Sequence, residues 1–191
     1  LAQSIFYEMF GDPITNEKGW KVKKLGEVCD IINGFAFKSN LFRKGGDAIL
    51  RISNIQNGYV DLTDAAYFDK SDYEKVNFEK YAVKPYDIVI ALSGATTGKL
   101  GINTTGKDLY LNQRVGCLKS DSDICLEWLV IFLQSEIVLS QIFATATGNV
   151  NQANIGSNNT LNLVLPLPPL AEQKRIVARI DELLKACNGL K

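Results

Sequence analysis

From residue 20 to residue 118 the chain is laid out as short apolar runs cut by turns, a pattern that a helical bundle cannot adopt. Residues 48–52, 88–92 and 115–118 are of strand length and, but for Arg51, without charge, and Asn33-Gly34, Asn57-Gly58 and Thr105-Gly106 are turn-favouring pairs set between such runs. This stretch is expected to be β-rich. Residues 125–143 differ: Leu126, Leu129, Val130, Leu133, Ile137 and Ile142 recur at helical spacing with no Gly or Pro before Gly148, which predicts one buried helix. Residues 147–160 hold five Asn, one Gln and two Gly, too polar for a core, and read as a loop.

Both ends read as helices. Leu1, Ile5, Phe6, Met9 and Phe10 make one stripe, and Gly11 with Pro13 supplies a stop, as expected for the end of a helix cut from something longer. At the other end Pro168-Pro169 opens a segment with Glu172 in its first turn. There Leu170, Val177, Ile180, Leu184 and Cys187 follow a/d spacing, with Ile176 and Leu183 flanking. This predicts an amphipathic helix of about 20 residues, near 30 Å long, whose seam meets another helix, the alternative being a helix packed on its own domain. The partner is either the N-terminal helix, through Ile5 and Met9, or the same helix of a second chain.

What the chain lacks narrows its chemistry. Its 191 residues contain no histidine, which excludes Ser-His-Asp and Cys-His nucleophile pairs, His metal sites and His proton shuttles. Cys29, Cys117, Cys125 and Cys187 have no zinc-knuckle or dithiol spacing and read as buried free thiols in a reducing compartment. No run of about 18 apolar residues or leader pattern is present, so a soluble, cytoplasmic protein is expected. Gly94-Ala-Thr-Thr-Gly98-Lys99 invites comparison with a phosphate-cradling P-loop. It has three residues between the glycines instead of four, Leu100 in place of the metal-binding hydroxyl, and an apolar continuation that resumes a strand. It reads as a hairpin or loop, with Ser93, Thr96, Thr97 or Lys99 as possible phosphate contacts. Asp61, Asp64, Asp69 and Asp72 form a solvated acidic face with no nuclease pattern. No catalytic residue, metal site or cofactor is expected.

Four segments together carry a family resemblance. Pro168-Pro-Leu-Ala-Glu-Gln-Lys-Arg-Ile-Val-Ala-Arg-Ile-Asp-Glu-Leu-Leu184 resembles the signature that opens the conserved helix of specificity subunits of type I restriction-modification systems. Gly34-Phe-Ala-Phe-Lys-Ser39, Asp87-Ile-Val-Ile-Ala-Leu-Ser-Gly-Ala-Thr-Thr-Gly98 and Leu111-Asn-Gln-Arg114 agree with it. The resemblance implies an α+β chain in which residues 1–12 end one conserved helix, 13–166 form a β-rich target recognition domain with a buried helix, and 167–191 begin the next conserved helix. The flanking helices would form an antiparallel coiled coil with Ile5, Met9, Val177, Ile180 and Leu184 at the helix-partner interface. It implies no catalysis by the chain itself. Its partners would be double-stranded DNA, methyltransferase subunits, the restriction subunit through the complex, and a second recognition domain or a second copy of the chain. The runner-up is the recognition domain of a fused restriction-modification enzyme, although Leu167 and Leu170 stand where a catalytic N-P-P-[FY] loop would have Asn and an aromatic residue.

Charge is uneven despite 21 basic and 21 acidic residues. Residues 18–51 carry eight bases against three acids and residues 82–119 five against two, while residues 61–81 carry six acids against three bases. A neutral chain can thus turn one basic face to phosphates. Base edges are read by Arg, amides and hydroxyls on loops. The candidates are Lys38, Ser39, Arg43, Arg51, Ser53, Asn54, Asn57, Thr96, Lys99, Asn112, Arg114, Asn151 and Gln152, with Gln56, Asn149 and Asn154 of the same kind. Motif residues such as Gly34, Phe35, Phe37, Gly94, Gly98 and Arg114 recur in family members with different targets, so they are expected to build scaffold or bind phosphate, with specificity between the motifs.

Overall fold

The computed structural model describes residues 2–120, 123–147 and 154–188, with Ala2, Cys187 and Asn188 described by backbone alone. Its central element is a five-stranded sheet of β2 (Cys29–Asn33), β10 (Val115–Ser120), β7 (Ile88–Ala91), β8 (Leu100–Ile102) and β4 (Gly58–Tyr59), in that spatial order. All four residues of β7 are buried, because both faces of this strand are covered. Ile88 and Ile90 point to helices; Val89 and Ala91 point to a second sheet of β5 (Ala66–Phe68), β3 (Asp47–Leu50), β9 (Leu109–Leu111) and β6 (Ala82–Val83). Behind that sheet Phe68, Tyr73, Phe78 and Tyr110 join Phe35 and Phe37 in an aromatic cluster, with ring centroids 4.6–6.1 Å apart. The period-2 alternation of each strand thus divides its side chains between successive layers.

The helical layer is built from α1 (Ala2–Phe10), α2 (Leu126–Leu133), α3 (Glu136–Ala144), and α5 (Leu170–Asn188), with the short α4 (Ser157–Leu161) inside the stretch expected to be loop. Gly11, at φ +87°, ends α1 by donating its N–H to the Tyr7 carbonyl, and the Trp20 indole donates to the Phe10 carbonyl. The single helix expected over residues 125–143 is two helices bent by 66°, because Ser135 takes extended backbone at φ −64°, ψ 140° and starts α3 afresh. Among the described residues no single helix is long and apolar enough to cross a membrane.

α5 carries the glutamine of the Pro168–Leu184 motif to a buried position. Gln173 is 0% exposed; its Oε1 accepts the Cys125 N–H at 2.8 Å, while Nε2 donates to the Asp123 and Pro168 carbonyls at 3.1 and 2.9 Å. All of its amide hydrogens are used. Ile176 and Ile180 of α5 lie in one apolar cluster with Ile5, Phe6 and Phe10 of α1, Trp128 and Phe132 of α2, and Ile88 and Ile90 of β7. A short ribbon of β1 (Lys21–Lys24) and β11 (Val164–Leu167) leads into α5. Cys117 and Cys125 are free thiols, and burial pushes the Cys117 thiol up to about 12.

Candidate nucleic-acid interface

One edge of the two sheets gathers most of the loop residues singled out above. β3 and β9 run parallel and end there at Leu50 and Leu111, β7 ends at Ala91 opposite the start of β10, and β2 ends at Asn33. The connections that leave this edge are tied to one another through backbone. Phe35 N–H donates to the Leu111 carbonyl at 2.8 Å, Asn112 N–H to Leu50 at 3.0 Å, Leu92 N–H to Arg114 at 2.9 Å, and Ile155 N–H to Leu92 at 2.8 Å. Gly34 is required in this layout, since a Cβ there would overlap the Asn112 carbonyl. The resulting rim carries Ser53, Asn57, Thr96, Lys99, Asn112 and Arg114, with Asn33 and Ser157, which hydrogen-bond each other, beside them.

The segment that resembles a P-loop is the β7–β8 hairpin. Gly94 and Gly98 sit at φ +99° and +82°, the Thr97 hydroxyl donates to the Gly94 carbonyl at 2.6 Å, and Ala91 N–H donates to Lys99 at 2.9 Å. One flank of the hairpin bounds a small polar hollow with Ser93, Gly94, Arg114 and Asn154. The other flank bounds a larger cleft of about 590 Å³ against α1, α2 and α3, lined by Gln3, Asn57, Thr96, Thr97, Lys99, Gln134, Leu139 and Phe143. Gln134 and Asn57 join across it by an amide hydrogen bond of 3.2 Å. Gln3 and Gln134 carry no sequence signal for this role; they reach the cleft only through helix packing.

Other candidates are committed elsewhere. Asn54 is 2% exposed and works inside its own loop: Oδ1 accepts Arg51 N–H at 3.0 Å and Nδ2 donates to the Asp61 carbonyl at 3.1 Å, so it is a structural residue and not a reader. Arg51 donates to the Asp64 carbonyl at 2.7 Å. Arg43 is paired with Asp69 and Asp72 at 3.3 and 2.6 Å, against the aromatic cluster and off the rim. The Ser71 hydroxyl, then its N–H, and more weakly Arg43 hold the Asp69 carboxyl below its usual range. Lys38 and Ser39 are exposed near that same cluster. Asn151 and Gln152 lie outside the described residues. Among the helix residues Ile5 and Ile180 are buried, while Met9, Val177 and Leu184 are half-buried against the same cluster.

The structure also sorts the bases of residues 82–119. Lys84 pairs with Asp108 at 2.6 Å and Lys119 pairs with Asp87, both at the end of the sheet away from the rim. Lys99 and Arg114, on the rim, have no ion-pair partner among the described residues. The bases of residues 21–24 lie on the β1–β11 ribbon instead.

A family model described as Type I restriction modification DNA specificity domain matches residues 17–191. The type I restriction enzyme EcoAI specificity subunit of Escherichia coli is 32% identical over 184 residues, covering 94% of this chain and 31% of that protein. The chain therefore spans about a third of the length of the curated relatives it matches. Among solved structures, the HsdS subunit from Thermoanaerobacter tengcongensis has a TM-score of 0.72 at 23% identity, over 100% of this chain and 44% of that one. The type IIG restriction endonuclease BpuSI has a TM-score of 0.63 at 11% identity, over 95% of this chain and 28% of that one. These two likenesses establish a shared mixed α+β fold.

Proposed function

The chain belongs to the type I restriction-modification DNA specificity family, and from that premise we propose that it is a target recognition domain reading one half of a bipartite duplex target. The observation that carries the reading is the rim, where Lys99 and Arg114, with no ion-pair partner among the described residues, stand among Ser53, Asn57, Thr96 and Asn112 on backbone fixed by two sheets. Arg to guanine and Asn to adenine are the bidentate pairings such a rim offers a major groove, while Lys99 and Arg114 also suit phosphates. Lys38 and Ser39 form a second, separate group of contacts. The chain supplies recognition and leaves methyl transfer and cleavage to methyltransferase and restriction subunits, and it needs no cofactor for its part.

The flanking helices serve assembly. α1 and the buried stripe of α5 meet within the chain, and the continuation of this pair forms an antiparallel coiled coil that docks methyltransferase subunits and spaces the domain from a second recognition domain or a second copy. The fold shared with BpuSI favours one alternative, a recognition domain fused in one chain with methyltransferase and nuclease activity.

Duplex DNA binding measured by fluorescence anisotropy at several salt concentrations tests the main reading. Affinity is expected to be weak and log K to fall linearly with log salt; an affinity indifferent to salt would overturn it. Methylome sequencing of a host carrying the intact system, before and after exchange of this domain, is expected to change one half of the methylated site only.

A further inference from the structure

The cleft on the Lys99 flank of the hairpin contains polar groups whose partners are missing. The Thr96 hydroxyl oxygen and the Gln3 side-chain oxygen are both shielded from solvent and hydrogen-bond to nothing among the described residues, although both line this cleft. Buried polar atoms are almost always paired, so such orphans call for an explanation. The charge of the lining points one way: among the described residues Lys99 is the one cation that lines the cleft, and no carboxylate does. Gly98 makes the shape possible, since a Cβ on this φ +82° residue would stand 3.3 Å from the Phe143 ring, which closes the hairpin against α3.

We propose that this cleft seats a backbone phosphate of duplex DNA, held by the Lys99 ammonium and the Thr96 hydroxyl with a side-chain amide from Gln3 or Asn57. The proposal rests on the DNA-recognition reading and deepens it by assigning Lys99 and Thr96 to sequence-independent anchoring and not to base readout. A phosphate oxygen accepts from all of these donors, and the Thr96 orphan is satisfied when it arrives. Amide O and N are interchangeable by rotation, so Gln3 can present its NH2 group to the same anion. The hairpin thus binds phosphate without being a P-loop: its residues come from a strand–turn–strand, and the anion is held by side chains instead of a helix N-terminus.

The test uses the 191-residue chain, two duplexes of unrelated sequence, and the variants Thr96→Val, Lys99→Gln and Lys99→Arg. Thr96→Val removes an unpaired hydroxyl, so its Tm is expected to stay level or rise while affinity for both duplexes falls several-fold. Lys99→Gln is expected to weaken both duplexes by the same factor, roughly tenfold at low salt, and to make the salt slope shallower by about 0.9; Lys99→Arg is expected to retain most of the affinity. Unequal losses on the two duplexes would make Lys99 a base reader and overturn the seat while leaving DNA recognition intact. A lower Tm for Thr96→Val with unchanged affinity would likewise overturn it. Displacement of DNA by millimolar inorganic phosphate at constant ionic strength would assign the cleft to a free anion instead. Absence of any duplex binding by the unmodified chain would overturn the recognition reading itself.

Discussion

Tyr86 has φ +71° and is 70% exposed, in the turn where Asp87 N–H reaches back to the Lys84 carbonyl at 3.1 Å. A left-handed backbone with a bulky side chain costs energy, and a ring this exposed gains little from packing to offset it. Tyr86→Gly is therefore expected to stabilise the fold by about 0.5–1 kcal/mol in urea denaturation, with duplex affinity unchanged because the turn lies at the end of β7 opposite the rim. Loss of stability would mean that the tyrosine side chain makes contacts that matter. Single residues were also where the sequence was hardest to read. Asn54, Arg51 and Arg43 have the same loop setting and chemistry as Asn57 and Arg114, and they are withdrawn from readout by Asp61, Asp64, Asp69 and Asp72, 7 to 29 positions away. Which loop polar group is spent internally is decided by chain folding, and side-chain type does not encode it.

Helices with strong periodicity were legible, and their breaks were not. α1 ends at Gly11 and α5 begins after Pro168-Pro169, as the stop and start residues indicate. The break between α2 and α3 falls at Gln134-Ser135, residues that a continuous helix tolerates, so only packing reveals it. The buried line of α5 runs through Gln173, Ile176 and Ile180, at 0%, 0% and 2% exposure, while Val177 and Leu184 of the expected seam are half-buried beside it. Ile180→Asp puts an unpaired carboxylate among Ile5, Phe10 and Trp128 and is expected to cost about 3–5 kcal/mol of the stability of the entire chain. Arg179→Ala, which breaks an exposed pair with Glu182, is expected to stay within about 0.5 kcal/mol. Chemical denaturation of both variants gives the comparison, and a full-stability Ile180→Asp chain would separate α5 from the core.

At the level of the whole molecule the flanking helices share a core with the sheets. α1, α5 and the central sheet bury one continuous cluster, and Phe10 lies 5.7 Å from Trp128 and 5.9 Å from Phe132. Deletion of residues 1–10 is accordingly expected to lower the midpoint of the whole transition. Tryptophan fluorescence and far-ultraviolet circular dichroism should shift together; a lost helix signal with an unmoved sheet transition would contradict a common core. The class, α+β with a β-rich middle, was readable from period alone. Strand order was not, since the parallel β3–β9 and β4–β8 pairs join segments with no sequence cue to each other. Gln173 gives this shared core a mechanical meaning. It bolts the first turn of α5 to the start of α2, and the α2–α3 elbow ends at Phe143, the wall of the Lys99 cleft. A tilt of α5 must therefore either shear those amide bonds or swing the elbow.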